Sequence, residues 1–164
     1  MQSLAALAQA LLVGVCATAL MDLWLFLLRR MGVPGMDFAL LGRWVGHLFQ
    51  GRFAHDAIRR APPIAAERGL GWLSHYTVGV VFALLLVALA GASWLDDPTL
   101  LPALAWGLAT AAVPLFVMQP AINADIASSR TPTPLLNALR SVANHAVFGL
   151  GLYFGAIALA RIAA

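Results

Sequence analysis

Residues 4–28 read LAALAQALLVGVCATALMDLWLFLL, an apolar run whose one charged side chain, Asp22, precedes the arginine pair Arg29 and Arg30. A helix rising 1.5 Å per residue needs roughly 20 such positions to cross a hydrocarbon core about 30 Å thick. Residues 72–95, 100–119 and 139–160 have the same length and character. Together they predict an all-α polytopic membrane protein with four transmembrane helices.

The composition agrees. Of the 164 residues, 62% are hydrophobic and 10% are charged, with mean hydropathy +0.86. Ordinary soluble domains carry roughly 25% charged residues, so a soluble fold is excluded. Four spans leave room for one sizeable loop, and residues 1–164 read as a single transmembrane domain. The apolar start lacks a basic leading segment and is too long for a cleavable signal, so span one is expected to stay in the mature protein. Cys16 is the only cysteine and reads as a small packing residue.

All ten basic residues are arginine, for a net charge of +3. Arg29, Arg30, Arg43, Arg52, Arg59, Arg60 and Arg68 fall in the first connection, against Asp37, Asp56 and Glu67. This clustering beside the spans argues for anionic headgroups rather than nucleic acid. The first connection is expected on the cytoplasmic side of a bacterial inner membrane. Arg130 and Arg140 put the third there too, whereas Asp96 and Asp97 mark the second as outside, which makes both termini periplasmic. Trp72 and Trp94 read as interfacial anchors at opposite ends of span two.

A shift of 70 residues aligns His75 with His145, Gly79 with Gly149, and 88–90 with 158–160. A shift of 92 aligns Ala17, Thr18, Ala19 and Leu23 with Ala109, Thr110, Ala111 and Leu115. The two hairpins therefore read as parallel repeats, the first with an enlarged loop. Chance matching in an Ala/Leu-rich chain is the alternative. Within that loop, Leu41, Trp44, Val45 and Leu48 stand at i, i+3, i+4 and i+7 and predict an amphipathic helix over 36–50, with Asp37 in its first turn. Gly42 and Gly46 give it a narrow groove, suited to the interface or to folding against the bundle. His55 to Arg60 form at most one turn before Pro62 and Pro63, linker follows to Gly71, and His47 and His55 read as solvated or interfacial.

Asp22 lies roughly 9 Å inside the Arg29 boundary at 1.5 Å per residue. Alternating helix direction brings His75, Gln119, Asn144 and His145 to similar depth, and Thr18 lies one turn from Asp22. Asp22, His75, Gln119, Asn144 and His145 form a predicted polar layer, and Thr18, in a small-residue stripe with Gly14, joins them as a candidate ligand-binding residue. An ionised carboxylate in a membrane costs about 2.5–3.5 kcal/mol, so Asp22 faces the bundle interior, finds a partner or is protonated. The layer then either binds a cation, a proton or a small polar ligand, or joins helices as mutually satisfied polar groups. Asp22, His75 and His145 also supply three candidate metal ligands, and the two histidines could hold haem. Neither spacing is that of a local motif. Pro114 interrupts one helical hydrogen bond in span three and predicts a kink. Pro120, Asn123 and Asp125 end that span, and Pro132 and Pro134 flank the start of the next. No catalytic motif is present, and an enzyme is not expected.

The segment from Asp22 to Arg30, the segment from Met36 to His47, and the pairs Ser74/His75 and Asn144/His145 resemble a bacterial family of four-span inner-membrane proteins, the domain-of-unknown-function 2938 family. The resemblance covers nearly the whole chain and implies fold and location, with no catalytic residue. The leading expectation is a small, oligomeric transporter or ligand-binding protein of the lipid bilayer. An accessory subunit docked on a membrane partner protein through its glycine-lined helices and amphipathic helix is the competing class.

Overall fold

The computed structural model describes residues 2–122, 129 and 131–163, and the described residues are helical with no strand. In order they form α1 (Gln2–Arg30), α2 (Phe38–Leu48), a 3-10 turn (Ile58–Arg60), α3 (Glu67–Ala90), a second 3-10 turn (Ala92–Leu95), α4 (Leu100–Thr110), a π-helical turn (Pro114–Met118), α5 (Gln119–Ala121) and α6 (Pro134–Ala163). Leu4–Arg30, Glu67–Ala90, Leu100–Ala121 and Pro134–Ile162 are long and apolar enough to cross a membrane. Asn123, Asp125 and Arg130, on which the end of span three and the charge of the third connection depend, lie outside the described residues.

Several boundaries differ from the sequence expectation for identifiable reasons. The second long helix starts at Glu67 rather than Trp72, so the stretch leading to Gly71 is helix and not linker. It stops at Ala90 because Gly91 takes φ +90°, and the following residues tighten into the 3-10 turn. Trp94 therefore sits in that turn, 6% exposed, with its indole N–H donating to the Thr99 carbonyl. It is a buried packing residue rather than an interfacial anchor. α6 starts at Pro134, earlier than Leu139, because proline suits a first helical turn. Asp37 caps α2 instead of lying within it, accepting from Ala39 N–H at 3.0 Å. Around Pro114 regular α-helix gives way to the π-helical turn, closed by Gln119 N–H donating to Pro114 O.

The chain forms two compact units, Met1–Val33 with Tyr76–Thr110 and Ala143–Ala164, and Pro34–His75 with Ala111–Val142. The first is packed at small residues. Ala10, Ala17, Ala83, Ala103 and Ala156 are all but fully buried with Val13, Leu86, Phe148 and Leu152, while Leu11, Leu12, Leu85, Leu89 and Phe154 are exposed. Large apolar side chains outside and small ones inside suit a hydrocarbon solvent, where packing rather than water exclusion joins helices. A Cβ on Gly14 would lie 2.7 Å from Val80 Cα, and one on Gly107 would lie 2.7 Å from both Gly149 N and His145 O. The α1/α3 and α4/α6 pairs thus meet backbone to backbone. Trp106 adds an indole hydrogen bond to Phe82 O at 2.8 Å.

The second unit wraps α2 onto the start of α3. Gly42 meets the backbone of Glu67 and Gly71, and Gly71 in turn meets that of Phe38. Arg43 grips the same corner from its side, donating to both Glu67 carboxylate oxygens at 2.8 and 2.9 Å and to the carbonyls of Ile58, Arg59 and Ala61 at 3.1–3.4 Å. Only a planar fork reaches carboxylate and carbonyls together. Phe38 stacks on Trp72 with ring centroids 4.1 Å apart.

Two outcomes follow from these contacts. Gly107→Leu is expected to destabilise the protein by about 1–3 kcal/mol or more through overpacking, whereas Gly69→Ala, with open space around it, is neutral or mildly stabilising; detergent melting curves compare the two. Arg43→Lys is expected to cost about 1–3 kcal/mol locally because an ammonium cannot reproduce the fork. Limited trypsin digestion reads this as faster cleavage after Arg52, Arg59 and Arg60, and an unchanged rate would show that the fork does not hold the loop.

Candidate functional site

Within the first unit, three polar side-chain pairs cross between its helices. Asp22 on α1 shares a hydrogen bond with the Tyr76 hydroxyl on α3, and its second carboxylate oxygen, Oδ2, is buried. Two residues further along α1, the Trp24 indole N–H donates to Asn144 Oδ1 on α6 at 3.0 Å. Next to Asn144, His145 Nδ1 lies 2.8 Å from the Thr110 hydroxyl on α4. Helical spacing explains the grouping, because residues adjacent in α6 reach toward different neighbours.

The hydrogen bonds fix a tautomer. Thr110 Oγ1 lies 2.6 Å from Gly107 O, and a carbonyl only accepts, so the hydroxyl proton points there. The hydroxyl oxygen must then accept from His145, which places a proton on Nδ1. Thr18 behaves differently from the role expected of it. It is 1% exposed, its hydroxyl donates to Gly14 O at 2.8 Å, and its side chain packs against Gly79. That makes it a spacer at the α1/α3 seam.

His75 and Gln119 belong to the second unit. His75 is half-buried against the Phe38 ring, with centroids 5.0 Å apart, and near Trp72 at 6.2 Å. Gln119 is half-buried in the turn of helix after the π-helical segment. No three His, Cys, Asp or Glu side chains among the described residues come together as a metal-ligand set.

Three participants were not singled out by the sequence. Tyr76 is one of two tyrosines in the chain and directly follows His75, which was its available signal. Thr110 was marked only as the repeat equivalent of Thr18, and Trp24 carried no signal beyond its place near a span end. A correction concerns His47 and His55, which are not solvated. They are 2% and 9% exposed and pair with each other, because Gly46 lets α2 approach Ile64 closely and the loop folds back over His47.

A family model described as "Protein of unknown function (DUF2938)" matches residues 11–159. No curated protein and no solved structure gives a match. The matched stretch runs from Leu11 in the first long helix to Leu159 in the last and takes in Asp22, Tyr76, Thr110, Asn144 and His145, so the chain belongs to the DUF2938 family.

Proposed function

We propose that this protein binds and passes a proton, a cation or a small polar ligand across a bacterial inner membrane, using Asp22, Tyr76 and His145 as the groups that exchange charge. One observation carries the reading. A carboxylate well inside an apolar span, costing about 2.5–3.5 kcal/mol to place there, is held by a tyrosine hydroxyl in the same unit as a histidine bound through Nδ1 to the Thr110 hydroxyl. Such an arrangement holds a proton or cation more readily than a neutral ligand. Asn144 and Trp24 orient α1 and α6 beside these groups.

The arginine-rich connection between α1 and α3 supports a cytoplasmic position for that loop and for the nearby polar groups, with periplasmic termini. The seams support a relation between the two hairpins. Thr18 packs against Gly79 in one, the counterpart glycine Gly149 packs against Ala103 and Gly107 in the other, and Thr18 and Thr110 each return a hydroxyl to their own helix. The accessory-subunit reading draws less support, since the glycine faces it would use for docking, Gly42, Gly79, Gly107 and Gly149, are occupied within the chain.

The test is flux in proteoliposomes loaded with a pH-sensitive dye under an imposed potassium diffusion potential, with sodium and magnesium gradients as further probes. Asp22→Asn is expected to lower flux at least about tenfold with helicity retained, and Tyr76→Phe to change its pH profile. Equal flux in the wild type, Asp22→Asn and empty vesicles for every probe would end the proposal.

A further inference from the structure

Buried in the second unit is a hydrogen-bonded histidine pair that the proposed function does not use. His47 Nδ1 on α2 lies 2.7 Å from His55 Nε2, the rings stack with centroids 4.9 Å apart, and His47 Nε2 lies 3.1 Å from the Pro62 carbonyl. His55 also anchors by its backbone, its N–H donating to Ala121 O at 2.8 Å. The residues before it, Phe49 to Ala54, are exposed, and Gly51 turns with φ +76°. His55 is thus a buried fastening of a stretch that is otherwise exposed from Phe49 to Ala54, alongside the Trp44 indole donating to Phe53 O at 2.8 Å and Arg52 N–H donating to His47 O at 2.9 Å.

The geometry allows one neutral arrangement. Pro62 O only accepts, so His47 carries its proton on Nε2 and presents a bare Nδ1. His55 must then donate from Nε2, which leaves its own Nδ1 bare, and this atom is buried with no hydrogen-bond partner among the described residues. One added proton creates a buried N–H with no acceptor on His55, whichever ring carries the charge. A second sets two N–H groups against each other across the pair. An unsatisfied buried polar group costs about 1–3 kcal/mol, more when charged. From its own loop Arg52 and Asp56 face His55, from α2 His47 does, and from α5 the Ala121 backbone carbonyl does.

We propose that the His47–His55 hydrogen bond is an acid-released latch, which fastens the loop around His55 to α2 and to Ala121 while both rings are neutral and lets go when they take up protons. Burial first, then the neighbouring His47 and Arg52, push the closed His55 below the usual imidazole value of 6.5, with Asp56 opposing. The sign follows. Well above pH 6.5 the His55 ring is neutral in both the closed and the released loop, and the latch holds in full. As pH falls through that value the released loop binds protons that the closed one refuses, and the fastening weakens progressively.

The experiment places a nitroxide at Ala54→Cys in a Cys16→Ser background of the full chain in nanodiscs, with a second label at exposed Phe154→Cys as reference. Spectra are taken from about pH 8 to pH 5, together with nitrogen-15 spectra of the labelled histidines. The expected result is an immobilised Ala54 label above pH 6.5 that becomes mobile below it, an unchanged Phe154 label, and loss of the response in His55→Gln, whose amide donates to His47 but does not titrate. An Ala54 label that stays immobile to pH 5, equal mobilisation of both labels, or an intact response in folded His55→Gln would each overturn the latch. Should His55→Gln fail to fold, the wild-type histidine spectra decide. Ring protonation that tracks the label supports the latch, and mobilisation with neutral rings refutes it.

Discussion

Helices surrounded by lipid gain little by hiding apolar surface from one another, so each association here depends on how closely two backbones can come. Gly107 against Gly149, Gly14 against Val80 and Gly42 against Gly71 are the places where that distance is set. A Trp24 indole reaches Asn144, and a His145 ring reaches Thr110, because the supporting helices are not held apart by bulk. The alanine-rich interior of the first unit and its leucine-rich exterior are two sides of the same solvent condition.

Against that apolar background, histidine is wired in two opposite ways. His145 donates from Nδ1 to a hydroxyl that can accept whatever the charge on the ring, so that hydrogen bond does not depend on the ring being neutral. His47 and His55 spend nitrogens on each other, and their bond is lost once both rings are protonated. The first arrangement suits repeated exchange and the second suits a threshold. The difference lies in whether the partner is a hydroxyl, which can both give and take, or another ring whose options are coupled to the first.

The spans were legible because length and apolarity alone specify them, and α2 was legible from its three-to-four residue spacing and Asp37. Helix ends were less so. Gly91 adopts a left-handed backbone that truncates α3, and nothing in the local apolar pattern distinguishes Trp94 in a buried turn from Trp94 at a lipid interface. The polar groups were legible as an inventory but not as pairs. Depth along a helix follows from counting, whereas the choice of Tyr76 for Asp22, or of Thr110 for His145, depends on helix rotation, which is set by glycine contacts far away in sequence. His47 and His55 illustrate the same limit. A polar residue in a loop reads as solvated unless the chain is known to fold back over it, and that return depends on Arg43 collecting the carbonyls of Ile58, Arg59 and Ala61.

The π-helical turn at Pro114–Met118 has a consequence for how the third long segment carries information along its length. A turn closed over five residues instead of four takes in one residue more than the α-helical ladder on either side, which rotates everything beyond it by about 100°. Gln119 and Ala121 therefore present faces one step out of phase with Ala112 and Val113. An apolar stripe followed down this segment at a constant 3.6-residue period loses its place at the proline, and Gln119 comes to occupy a direction that the same period would have given to its neighbour. The extra residue acts as a phase shifter, letting one continuous chain satisfy two packing environments without a loop between them.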